Sequence, residues 1–286
     1  MSSIDRGRSG TGRSRAGRYG LRTVALVYLA LILVLPVAMV FYRTFENGLA
    51  PVLKALEDPM AQHALLLTVI IAAIAVPLNT VFGIIAALIL VRRRVPGRSL
   101  ISALIDLPLA LSPVVVGLCI VLVWGKYGWF GFVQQDWGYQ VVFAVPGMVL
   151  ATIFVCLPFV VREVVPVLRE VGTEQEEAAS TLGAGGFQTF WRITLPAIRW
   201  GIIYGVILTT ARALGEYGAV AVVSGRITGK SETMTLFVGQ QYQQIGPNSQ
   251  TAAYSASLVL VLLAVITVLA MNLLNRKGGP NGDSGH

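Results

Sequence analysis

With 55% of its 286 residues hydrophobic, 13% charged and a mean hydropathy of +0.71, the sequence is too apolar for a water-soluble globular domain and reads as an integral membrane protein. Its formal charge of +8 comes from Lys and Arg gathered beside apolar runs, so it is a topology signal and argues against nucleic-acid binding. Two cysteines inside apolar runs and two histidines without ligand spacing give no disulfide framework and no metal site.

Residues 1–20 are rich in Arg, Gly and Ser and are expected to form a disordered tail, lying on anionic lipid. Six apolar runs follow, at about Leu21–Tyr42, Ala64–Val91, Leu100–Trp124, Val141–Val161, Trp200–Val223 and Thr251–Leu274. Each is close to or above the roughly 20 residues a spanning helix needs, so an all-α, six-helix polytopic fold is expected. The first run is too long for a signal peptide and lacks a small-residue cleavage site after it. The expected organisation is therefore a tail (1–20), a first helix with an external loop (21–63), a five-helix core (64–274) carrying a polar loop at 162–199, and a second tail (275–286). Sixteen of the 22 basic residues fall in the first tail with Arg22 just after it, the loop after the second run, the 162–199 loop and the second tail. By the positive-inside rule these segments and both termini are cytoplasmic, in a multi-pass cell-membrane protein.

The third run carries Asp106, Pro108 and Pro113. Proline frees backbone carbonyls, which lipid tolerates only where neighbouring helices or a cavity satisfy them, so a central pathway is expected here. Cys119 and Cys156 read as packing residues. In the 162–199 loop, Thr173-Glu174-Gln175-Glu176 fits a capping box, with Thr173 and Glu176 each satisfying a backbone N–H. Glu174, Glu176 and Glu177 complement the helix dipole, Ala178 and Ala179 offer a smooth docking surface, and Gly183 suits the left-handed position that ends a helix. A second short element bears Phe187, Phe190 and Trp191 and is expected to stop at Pro196.

In the fifth run Gly201 and Gly205 form a G-x-x-x-G pair. Arg212 and Glu216, four apart, face one side of the helix, where an intramembrane ion pair is expected, flanked by the breakers Gly215 and Gly218. Asp106 is the natural additional partner for Arg212. The three charges sum to −1, which favours a structural or gating network over a cage for a dianion. Candidate pathway or gating residues are thus Asp106, Pro108, Pro113, Arg212, Gly215 and Glu216; none is catalytic.

The sequence Glu177-Ala178-Ala179, three residues, Gly183, nine residues, Ile193-Thr194-Leu195-Pro196 resembles, without a gap, the coupling-loop motif of permease subunits of binding-protein-dependent ABC importers. The resemblance implies that Glu177, Ala178, Ala179, Gly183, Ile193, Leu195 and Pro196 contact a cytoplasmic ATPase subunit. Asp106-Leu107-Pro108, Ser112 to Gly117, and Ala211 to Val220 followed by Val222-Val223-Ser224-Gly225 look like signatures of sulfate and thiosulfate importer permeases. The run Gly147-Met148-Val149 to Val165-Pro166-Val167 is similar to the CysW-type member of the permease pair. The likeness extends over about residues 45–275; the basic tail and the segment from Met234 to Ser249 depart from it. It implies two copies of an ATP-binding subunit, a homologous second permease, an extracytoplasmic sulfate-binding protein, and ATP and Mg held by the ATPase partner with no cofactor bound directly. Molybdate and tungstate permeases share part of the Ala-Arg-Ala-Leu-Gly-Glu signature and give the alternative cargo.

No phosphate-loop motif G-x-x-x-x-G-K-S/T occurs, so energy must come from a partner. An ion-coupled secondary transporter would explain six spans and buried charges but not the Glu-Ala-Ala loop. A membrane-embedded enzyme lacks any recognisable catalytic constellation: His63 and His286 stand alone, and neither H-E-x-x-H nor G-x-S-x-G occurs.

Overall fold

The structure, a computed structural model, describes residues 15–93, 95–227 and 229–278, and among them it contains helices and no strands. A first long rod consists of α1 (Arg15–Leu29), a π-helical turn at Ala30–Val34 and α2 (Leu35–Phe45). A short α3 (Leu49–Leu56) precedes α4 (Pro59–Arg92), which starts where the Asp58 carboxylate accepts the Met60 N–H at 2.9 Å and Pro59 pre-sets the helical φ. Next come α5 (Arg98–Ala110), α6 (Pro113–Trp124), the single turn α7 (Phe132–Gln135) and α8 (Val145–Val171). The polar loop holds α9 (Glu174–Thr181), α10 (Gly186–Thr189), a π turn at Phe190–Thr194 and α11 (Leu195–Ala197). The chain closes with α12 (Arg199–Leu214), α13 (Gly218–Val223), α14 (Met234–Gln243) and α15 (Pro247–Gly278).

Several boundaries differ from the sequence reading. Helix α1 begins inside the segment expected to be a disordered tail; residues 1–14 and 279–286 lie outside the described residues. The second span starts at Pro59, five residues early, because Asp58 caps it. Helix α8 runs ten residues past Val161 through Pro158 and Pro166, so the loop is confined to 172–198. The third run is two half-helices meeting at 111°. Leu111 turns to an extended backbone ahead of Ser112-Pro113, as the residue before a proline prefers, and Pro113 opens the second half.

These halves pack at opposite ends of the same two helices. Ile105 of α5 sits with Ala86 and Leu90 near the end of α4 and with Val161 of α8, whereas Val116 of α6 sits with Leu67, Ile71, Met148 and Val155 at their other ends. Helix α12 starts at the first of these ends, called the docking end below, and α13 finishes at the far end with Ala219, Val220 and Val223 in the α6 cluster. Among the described residues four helices are long and apolar enough to cross a membrane, up to six if each bent pair is one span.

Glycines let the central helices touch. A Cβ on Gly83 of α4 would lie 2.6 Å from the Val160 side chain, and one on Gly205 of α12 would lie 2.8 Å from the Val160 Cα. Val160 of α8 is therefore gripped from both sides. Gly201 is equally confined, its Cβ 2.9 Å from the Glu163 carbonyl, so the G-x-x-x-G pair is the α8–α12 contact. The first rod is peripheral: from Arg22 to Phe45 Thr44 alone is buried, and α2 packs on α15 and α3.

Candidate functional site

At the docking end, α9 stands away from the apolar bundle. Gly183 takes φ +86°, its N–H bonds to the Ser180 carbonyl at 3.0 Å, and the Ala184 N–H bonds to the Ala179 carbonyl at 3.0 Å. This is the paired hydrogen-bond pattern that closes a helix on a left-handed residue, and glycine adopts it without a Cβ clash. The capping box does not form. The Thr173 hydroxyl donates to the Glu177 carboxylate at 2.7 Å, and Glu176 is drawn elsewhere.

Glu176 is held by Arg92, the last residue of α4. The guanidinium Nε lies 3.0 Å from one carboxylate oxygen and Nη2 3.1 Å from the other, while Nη1 and Nη2 also donate to the Leu168 and Gly172 carbonyls at 3.1 and 2.6 Å. The buried Thr194 hydroxyl adds a bond to the same carboxylate at 2.9 Å. Arg92 thus ties α9, the end of α8 and the second loop element into one knot, and a charge-assisted fork outcompetes a backbone N–H for the Glu176 carboxylate. Nothing in the sequence joins residues 84 positions apart; a basic residue ending a long apolar run near an acidic helix was the only hint.

The second loop element does not stop at Pro196. The π turn widens the helix just ahead of it, α11 carries Pro196 near its start where an N–H is not needed, and the chain turns 69° at Ile198 into α12. Glu177, Ala178 and Pro196 are exposed; Ala179, Ile193 and Leu195 are half-buried. Beside them Leu182, Phe187 and Trp191 stand 88%, 79% and 52% exposed, with Phe187 and Trp191 in edge contact at 6.0 Å. Large apolar side chains clustered on a polar loop mark a surface made for another protein. Leu182 is the member the sequence reading missed.

Deeper in the bundle, Arg212 meets Glu216 at 2.6 Å. Glu216 is 1% exposed along its side chain, its other oxygen accepts the Ala219 N–H at 2.9 Å, and its carbonyl accepts the Thr235 hydroxyl at 2.8 Å. One carboxylate therefore closes the break between α12 and α13. That break rests on the first: a Cβ on Gly218 would lie 2.9 Å from the Pro113 Cβ, and one on Gly117 would lie 2.7 Å from the Ala219 carbonyl. Pro113, Gly215 and the Arg212–Glu216 pair are brought together at two touching discontinuities.

Asp106 and Pro108 are not part of this cluster. Asp106 pairs with Arg162 of α8 at 2.9 Å, toward the docking end, and not with Arg212, because α5 reaches only halfway along α8. Pro108 is buried inside α5, short of the bend. Gly215 has an ordinary φ of −92° and room for a Cβ, so its backbone freedom is unused. Asn79 of α4 and Thr209 of α12, both wholly buried with side-chain oxygens lacking a hydrogen bond among the described residues, are polar positions that the sequence reading passed over.

The sequence model of the family described as binding-protein-dependent transport system inner membrane component matches residues 79–278. The sulfate transport system permease protein CysW of Synechocystis sp. is 55% identical over 263 residues, covering 92% of this chain and 94% of that relative. The sulfate transport system permease protein CysT from the same organism is 36% identical over 255 residues, covering 89% of this chain and 88% of that relative. Among solved structures, a chain of a bacterial ABC transporter involved in the import of the acidic polysaccharide alginate superposes with a TM-score of 0.75 at 16% identity, covering 92% of this chain and 96% of that one.

Proposed function

The chain belongs to the family of binding-protein-dependent transport system inner membrane components, and we propose that it is the permease subunit of an ATP-driven importer that carries sulfate and thiosulfate into the cytoplasm by alternating access. The sulfate assignment is supported by the names of relatives similar along nearly their whole length. The observation that carries the mechanism is the knot at Arg92, which joins a capped, exposed helix to the ends of α4 and α8.

The docking end faces the cytoplasm, in keeping with the excess of Lys and Arg there. Two ATP-binding subunits holding ATP and Mg sit below it, a homologous CysT-like permease stands beside the chain, and an extracytoplasmic sulfate-binding protein delivers the anion at the far end. Closure of the ATPase pair pulls on Glu177, Ala178, Ala179 and the Leu182–Phe187–Trp191 patch. The knot passes that movement to α4 and α8, and the turn at Ile198 passes it to α12. The two touching breaks, at Leu111–Ser112 and Gly215–Tyr217, are where half-helices can swing without breaking a continuous hydrogen-bonded ladder. The Arg212–Glu216 pair holds them together with little net charge, and so steadies the gate instead of trapping a dianion.

Uptake of radiolabelled sulfate in cells with and without the chain tests this, with thiosulfate and molybdate as competitors. Loss of uptake on deletion, with competition by thiosulfate, is the expected result. Uptake unaffected by deletion overturns the sulfate reading, and competition by molybdate alone moves the cargo to that oxyanion.

A further inference from the structure

A second charged feature lies apart from the breaks, in a cleft of about 170 Å³ between α5 and α8 at the docking end. Arg98, Ser102 and Asp106 line it from α5 at intervals of four residues, and Arg162, Pro166 and Arg169 line it from α8 at intervals of four and three, so each helix presents one stripe. The two helices run in opposite directions, which sets Asp106 across from Arg162, where they pair at 2.9 Å. Two turns nearer the docking end the same register sets Arg98 across from Arg169. Neither of these guanidinium groups has a hydrogen bond or ion pair among the described residues, and Arg162 uses only its Nε on Asp106. Asp106 is the one carboxylate among the described lining residues.

Both guanidinium groups are exposed, and their like charges on the two walls of one cleft concentrate positive potential between them, which favours an anion there. Guanidinium forks match the oxygens of a tetrahedral oxyanion two at a time, and Ser102 adds a hydroxyl donor. Ile105, Val161 and Val165 form an apolar floor beside the charges. We infer that the Arg98–Arg169 cleft binds a tetrahedral oxyanion group, phosphate or sulfate in chemistry. Two sources supply such a group at this place: the headgroup of an anionic phospholipid, whose acyl chain follows the apolar floor, and free sulfate released at the cytoplasmic mouth. The second source rests on the proposed cargo; the site itself does not.

Thermal unfolding of the full chain in detergent tests the site, with phosphatidylglycerol, phosphatidylcholine or sodium sulfate added at matched ionic strength. The expected result is a concentration-dependent rise in Tm with phosphatidylglycerol or with sulfate, absent with phosphatidylcholine, lost in Arg98→Gln/Arg169→Gln and retained in part in Arg98→Lys/Arg169→Lys. A rise with phosphatidylglycerol alone assigns the lipid, and a rise with sulfate alone assigns the free anion. If the double Gln variant does not insert, Arg169→Gln alone is read in the same assay. No rise with either ligand, or a rise that the Gln variants keep in full, overturns the site. Because the readout is stability, its failure is separate from failure of sulfate uptake.

Discussion

The Arg212–Glu216 pair is asymmetric: the carboxylate side chain is 1% exposed and the guanidinium side chain 32%. Removing the guanidinium strands a buried charge, at a cost of about 3–5 kcal/mol, whereas removing the carboxylate leaves a cation with partial access to water. Arg212→Gln is therefore expected to lower the amount of inserted protein more than Glu216→Gln does, and the double variant to recover part of the loss, as read by membrane yield and uptake. Equal defects that simply add would contradict the pairing. Glu232, at the far end, is 1% exposed with neither carboxylate oxygen bonded among the described residues, and burial pushes its carboxyl up from the ordinary range. The neutral acid fits this site, so its contribution to stability is complete below the usual glutamate pKa of about 4.3 and is lost as pH rises through the raised folded value. Tm measured from about pH 4 to about pH 8 should fall more steeply in the wild type than in Glu232→Gln. Identical profiles would remove Glu232 as the cause. Arg212 and Glu216 were legible in the sequence because a charge in an apolar run demands a partner four residues away. Arg92 and Glu232 were not, since one was hidden among topology charges and the other becomes remarkable only through its burial.

At the scale of elements, α9 is stiff for its eight residues because both ends are fixed: Arg92 grips its first turn and Gly183 closes its last. Proline at 183 can neither reach φ +86° nor donate to the Ser180 carbonyl. Gly183→Pro is expected to insert at wild-type levels, since a Cβ at this exposed position meets nothing within 4 Å, and to abolish uptake while the ATPase partner continues to hydrolyse ATP. Normal uptake by a stably inserted variant would mean that the cap does not transmit. The sequence was a good guide to this element's existence and to its end, because glycine after an alanine-rich turn has a specific backbone use. It misread the start, where Thr173 and Glu176 had the right spacing for a capping box but a guanidinium from α4 supplied a stronger partner. The bend in the third span was visible as two prolines, yet its position followed Pro113 alone: Pro108 is accommodated inside α5 much as Pro158 and Pro166 are inside α8.

For the whole molecule, the proposed orientation makes the two ends chemically distinguishable. With Cys119 and Cys156 replaced by Ser and Ala, Tyr127→Cys, at a position 94% exposed at the far end, should react with a membrane-impermeant thiol reagent applied to intact cells, and Glu174→Cys should react only after lysis. The opposite pattern would invert the topology and remove the cytoplasmic ATPase from the docking end. The long apolar helices and the apolar core were readable from hydropathy, because lipid imposes length and composition on any span. Which spans break, and that the breaks touch, depends on Gly117 and Gly218 meeting a distant carbonyl and a distant proline, and no local pattern encodes that meeting. The shortness of the half-helices also shapes how the protein is made. At about 1.5 Å per residue α6 reaches roughly 18 Å, well under the ~30 Å of a bilayer core. It gains its partner α13 only after about 100 further residues are synthesised, some 5–20 s at ribosomal rates of about 5–20 residues per second. During that interval the bend at Leu111–Ser112 has α4, and later α8, beside it but lacks the α13 side of its packing, so the nascent chain depends on the insertion machinery to shelter that side, and slowing translation between Gly125 and Gly218 would lengthen its exposure to quality-control proteases.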